Sequence, residues 1–119
     1  MPAINFKKQF ADMVDRGEKT QTIRQIWSNP IKAGDTLYLY TGMRTKSCRK
    51  LGEVLCRKVS PITVNPANIQ IDGQLYGYLT TKVTNLALAD GFFSGAAMGQ
   101  FFKELYGLPF DGVLIEWDE

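Results

Sequence analysis

The stretch "GEKTQTIR", residues 17–24, gathers Lys19, Thr22 and Arg24 within six positions. A threonine hydroxyl becomes a nucleophile once a base removes its proton. Lysine can be that base if burial or a second cation lowers its pKa, and Arg24, two residues beyond Thr22, is such a cation. A carboxylate such as Asp90 could orient the lysine or pass a proton to a leaving amine. These four side chains are chemically sufficient to hydrolyse an amide without metal or cofactor. They are equally a set of donors and acceptors suited to a polar ligand.

The chain contains no histidine. Ser-His-Asp and Cys-His catalysis and histidine-ligated metal sites are therefore excluded, and acid–base work falls to Lys, Asp, Glu, Tyr or Cys. Cys48 and Cys56 make neither a disulfide framework nor a zinc site. Reduced thiols and a cytoplasmic setting are expected, with no metal and no cofactor. "MPAINFKKQF" does not read as a signal peptide, and no apolar run approaches the roughly 20 residues that span a bilayer. The expectation is a monomer with no membrane partner.

The elements that must position these side chains follow from periodicity. "INFKKQFADMVDRG" sets Phe6, Phe10, Met13 and Val14 at helical spacing, with Gly17 as the residue that stops the helix. "TQTIRQI" alternates, placing Thr20, Thr22 and Arg24 on one strand face and Gln21 and Ile23 on the other. In a regular strand Lys19 would face away from Thr22. The two share a site only if residues 18–20 are still turning out of the helix. "WSNPIKAGD" reads as a loop, "TLYLYTG" as a strand, and "LGEVLCRKVSPI" as a longer one with Pro61 near its end. Asp72-Gly73 marks a hairpin. "TNLALADGFFS" reads as a short helix or turn. "SGAAMGQFFKELYG" reads as a helix capped by Ser94 and ended by Gly107, and "GVLIEWDE" as a last strand. The 119 residues fit one domain. Its class is α+β, mostly antiparallel, on a small twisted sheet or barrel with flanking helices.

Charge is unevenly spread. Arg44, Lys46, Arg49, Lys50, Arg57 and Lys58 stand against Glu53 alone, whereas Asp90, Glu104, Asp111, Glu116, Asp118 and Glu119 stand against Lys103. A basic stripe is the usual electrostatic footprint for phosphates, and equally a solvated strand face.

"GEKTQTIR" resembles the G-x-K-x-x-T-x-R motif of ASCH domains, read here as Gly17, Lys19, Thr22 and Arg24. "IKAGDTLYLYTG", "ALADGFFS" and "GVLIEW" are similar to three further segments of that family, in the same order. The resemblance implies a PUA-like β-barrel over residues 1–119. It also implies a cleft for a nucleoside, nucleotide or RNA, built from Lys19, Thr20, Thr22, Arg24 and Asp90. One small bacterial branch looks like N(4)-acetylcytidine amidohydrolases. By resemblance to it, Lys19, Thr22 and Asp90 would be the catalytic group, with Thr22 the nucleophile. Aspartate stands here where that branch has glutamate. It is one methylene shorter, and a misplacement of about 1 Å can cost on the order of a hundredfold in rate.

The same residues have plainer readings. Thr20 and Thr22 are good strand formers. Lys19 can be a solvated charge, and Arg24 can pair with Asp35 or Asp90. Asp90-Gly91 can be a turn or helix cap. Of Tyr38, Tyr40, Phe92, Phe93 and Trp27, at most two are expected to meet a ligand, the others being core. Binding and hydrolysis both remain open at this point, with binding ahead because of the basic stripe and the shorter acid.

Overall fold

A computed structural model describes residues 3–25 and 30–118; Trp27 lies outside them. The chain opens with a strand rather than a helix. β1 (Ala3–Phe6) buries Ile4 and Phe6 and exposes Ala3 and Asn5, the period of two of a half-buried strand. It lies parallel to β3 (Thr36–Thr41), with Ile4 opposite Leu39 and Phe6 opposite Thr41. A partner more than thirty residues away recruits Phe6 into the sheet, so the helix expected from residue 4 starts only at Lys8. That helix, α1 (Lys8–Asp15), buries Phe10, Ala11 and Val14. Gly17 follows it at φ 76°, where a Cβ would be strained.

β2 (Gln21–Arg24) pairs antiparallel with β7 (Phe110–Asp118), Thr22 opposite Ile115 and Arg24 opposite Val113. β4 (Arg49–Val64) is the spine. Its first half pairs with β3 and its second with β7, and its last residues pair with β5 (Asn68–Ile71). Register shifts at Leu39/Tyr40 and Cys56/Lys58 break the alternation and add local twist. β5 and β6 (Gln74–Gly77) form the expected hairpin, with Asp72 and Gly73 both at positive φ as its two-residue turn requires.

"TNLALADGFFS" contributes a full helix. α2 (Thr81–Ala89) is capped by the Thr80 hydroxyl, and Asp90 is its C-cap. α3 (Gly95–Tyr106) begins on Ser94, whose hydroxyl accepts from Ala97 N at 3.1 Å, and ends at Gly107. The class is α+β as expected, with a mixed, mostly antiparallel seven-stranded sheet and three helices among the described residues. Among the described residues the sheet does not close into the expected barrel. The backbone ladder runs β2-β7-β4-β3-β1 and stops at both ends. Those ends are nevertheless near each other, because Arg24 of β2 donates from Nη2 to the Asn5 carbonyl of β1 at 2.8 Å. A side chain spans the gap that a ladder would close.

The curl creates two apolar clusters. One, inside it, contains Ile4, Phe6, Phe10, Leu37, Leu39, Ile115 and Trp117. The other lies between the far half of the sheet and α2 and α3, around Ile23, Val64, Val83, Met98, Phe102 and Leu114. Phe92 and Phe101 pack against both. Among the described residues no helix is long and apolar enough to cross a membrane.

Candidate functional site

Lys19 is held in a turn, not in the strand. After Gly17 reverses the chain, the amides of Glu18 and Lys19 both donate to Met13 O, at 2.8 and 3.1 Å. Thr20 N then donates to Ala89 O and Thr20 O accepts from Trp117 N. β2 starts only at Gln21. This turn removes the conflict of alternation: Lys19 and Thr22 face the same space.

That space is a cavity of about 80 Å³ lined by Lys19, Thr22, Arg24 and Asp90. Its apolar walls include Phe6, Phe10, Phe92 and Phe101. Phe10, Phe92 and Phe101 contact one another edge-on or tilted, with centroids 5.2–5.7 Å apart. Of the five aromatics singled out from sequence, Phe92 alone lines the cavity among the described ones; Phe93 is 86% exposed. Phe6, Phe10 and Phe101 were missed as site residues, because helical and strand spacing announces an apolar face without saying what it faces. Thr20 lies outside the cavity: its backbone is tied to Ala89 and Trp117, and it does not line the space.

Two polar pairs face each other here. In the first, Lys19 Nζ donates to the Asp90 carbonyl at 2.5 Å and lies 3.2 Å from Asp90 Oδ1. Both side chains are buried, at 3% and 4% exposure. Oδ1 is held by this ion pair and accepts no hydrogen bond. Asp90 is thus both the cap of α2 and a site carboxylate, so the two readings of Asp90-Gly91 coincide. Gly91, at φ 93°, completes the turn, and a Cβ on it would stand 3.0 Å from the Phe10 ring. In the second pair, Arg24 Nε donates to Thr22 Oγ1 at 3.0 Å. The guanidinium stacks over Phe6 at 5.0 Å. Among the described residues it makes no ion pair with Asp35 or Asp90. No described hydrogen bond joins Thr22 to Lys19.

Burial dominates the electrostatics. It pushes the Lys19 ammonium below the usual lysine range, while Asp90 pulls it back and Arg24 adds a smaller downward push. Burial pushes the Asp90 carboxyl up, against the lowering effects of Lys19, Arg24 and Gln21. Phe10 and Phe6 lie 5.0 and 5.7 Å from Lys19 Nζ, so ring faces replace part of the lost hydration. Gln21 was not singled out from sequence. It is buried on the opposite face of β2 and anchors α2 by donating to Leu86 O at 3.1 Å. Alternation places it with Ile23, on the face away from Thr22 and Arg24.

Four of the six cations of the basic stripe have acidic partners. Arg49 is paired with Asp12 and Asp15, Lys50 with Glu53, Arg57 with Glu116 and Lys58 with Asp72. Arg49 lines a groove with Lys7 and Lys8. Arg57 and Lys58 line another beside Gln21 and Lys82. Arg44 and Lys46 lie in the turn between β3 and β4.

No protein-family profile, curated protein or solved structure matches the chain.

Proposed function

We propose that the chain is an ASCH-type domain of PUA-like fold whose cavity binds the edge of a nucleobase, in a nucleoside or at an RNA end. The observation that carries this reading is that the Lys19–Asp90 ion pair, the Arg24 guanidinium and the Thr22 hydroxyl converge on one buried, aromatic-walled space, in which Asp90 Oδ1 is ion-paired but accepts no hydrogen bond. A carboxylate oxygen has more than one acceptor direction, and a ligand N–H would supply the hydrogen bond that the ion pair leaves unmade. The edge of a base presents donors and acceptors side by side, and its faces pack on aromatic rings. Size limits the fit. A cavity of about 150 Å³ holds benzene, and this one is about 80 Å³, so an edge or a small acyl group enters and the rest of the ligand lies at the mouth. The curl of the sheet, with Arg24 spanning β2 and β1, is what supports the PUA-like reading.

A second reading, amide hydrolysis of N(4)-acetylcytidine-type substrates, is favoured by the lowered Lys19 pKa. A neutral Lys19 amine would take the Thr22 proton, and Thr22 Oγ would add to the acetyl carbonyl. Lys19 would then return that proton to the departing N4 amine, leaving an acetyl-threonine that water hydrolyses to acetate. Binding is placed ahead because Lys19 is committed to Asp90, and Thr22 is bonded to Arg24 rather than to a base. Incubation with cytidine and with N(4)-acetylcytidine, followed by chromatography of the nucleosides and by thermal shift, separates the two. A thermal shift without acetate release supports binding. Catalytic release of acetate replaces it with hydrolysis. Neither signal would end both readings.

A further inference from the structure

Beside the cavity runs an open groove of about 650 Å³. The two share Asn5, Phe6 and Lys7 on their linings, so cavity and groove adjoin along these three residues. Its floor is the start of α1 and the turn after β3. Three cations from two separate stretches converge on it: the adjacent Lys7 and Lys8, before α1 and in its first turn, and Arg49 at the start of β4. Lys7 Nζ lies 5.9 Å over the Phe101 ring, at the boundary between aromatic wall and groove. Among the described residues Lys7 and Lys8 have no acidic partner, and Asp12, paired with Arg49, is the one acid lining the groove. Cations gathered along a cleft raise the local concentration of anions, and guanidinium and ammonium donors form strong hydrogen bonds to phosphate oxygens.

We propose that this groove is a phosphate subsite, and that the ligand is a nucleoside monophosphate or a nucleotide end rather than a free nucleoside. The inference rests on the nucleobase reading of the cavity. The small cavity supplies its geometric logic: only the edge of the heterocycle is enclosed, which leaves sugar and phosphate outside, over Lys7 and towards Lys8 and Arg49.

The test is calorimetric titration of cytidine and of its 5′- and 3′-monophosphates into the wild type and into a Lys8→Ala/Arg49→Ala double variant, at low and high salt. Lys8 and Arg49 line the groove and not the cavity. A monophosphate should bind about tenfold tighter than cytidine, about what one added charge-assisted contact gives. High salt or excess inorganic phosphate should erase that advantage. The double variant should lose it too while binding cytidine like the wild type. Cytidine binding with no gain from either phosphate overturns the subsite and leaves the cavity reading standing. Monophosphate binding that vanishes in the double variant, without any cytidine binding, keeps the subsite and overturns the cavity reading. If no ligand binds, both fall.

Discussion

Lys19 Nζ stands 3.2 Å from Asp90 Oδ1 in a space where neither side chain is more than 4% exposed. Such a pair is costly to desolvate, yet removing one partner is worse, because it leaves the other buried alone. Lys19→Met should therefore destabilise the fold by about 3–5 kcal/mol, and Asp90→Asn by a comparable amount. The double variant should be far closer to wild type than the sum. Urea denaturation of the four proteins gives the coupling. Additive losses would mean that the two groups do not act as a pair.

The pH dependence of stability carries the same signature with an unusual sign. The folded Asp90 carboxyl titrates above its ordinary 3.8. Above that value the folded state holds more protons than the unfolded one, so stability falls as pH rises through the raised pKa. The folded Lys19 ammonium titrates below its ordinary 10.5. Between its lowered pKa and 10.5 the unfolded state holds more protons, so stability rises with pH. The pair should thus contribute least at intermediate pH and more towards either end. The denaturation midpoint of the wild type, plotted against pH relative to Lys19→Met/Asp90→Asn, should be concave upward. A maximum at intermediate pH would show that attraction outweighs burial.

The approach of β2 to β7 is close enough to require a glycine. A Cβ on Gly112 would lie 2.3 Å from the Arg24 carbonyl oxygen and 2.8 Å from the Phe110 ring. Gly112→Ala should cost about 3 kcal/mol, the upper part of the overpacking range. It should also loosen the strand that carries Thr22 and Arg24. Gly52→Ala, where a Cβ meets nothing within 4 Å, should change stability by no more than about 0.5 kcal/mol. Thermal denaturation of the two variants checks the contrast, and equal losses would contradict the packing at Gly112.

Local signals were the legible part of this fold. The Asp72-Gly73 hairpin, the Ser94 cap, the Gly17 stop and the alternation of Thr22 with Ile23 each depend on a few neighbouring residues, and each stands where it was expected. What escaped depended on distant partners. Phe6 keeps helical spacing with Phe10, but pairing with β3 places it in a strand. The stripe from Arg44 to Lys58 is continuous in sequence. Four of its six cations have carboxylate partners brought from other elements or along β4, namely Asp12 and Asp15, Glu53, Glu116 and Asp72. The polar half of the candidate site, Lys19, Thr22, Arg24 and Asp90, could be proposed from sequence. Its aromatic half could not, because Phe10 and Phe101 belong to different helices that only packing brings together.

The central claim, that the cavity binds a nucleobase through these polar groups, is tested most directly by titrating cytidine into wild type and Thr22→Val. Valine keeps the shape and strand propensity of threonine and deletes the hydroxyl; it removes the acceptor of Arg24 Nε but not that of Nη2, the Asn5 carbonyl. The account predicts saturable binding by wild type. The variant should be folded and weaker by roughly 0.5–1.5 kcal/mol, one hydrogen bond. Wild type that does not saturate, or a Thr22→Val affinity equal to that of wild type, would contradict it.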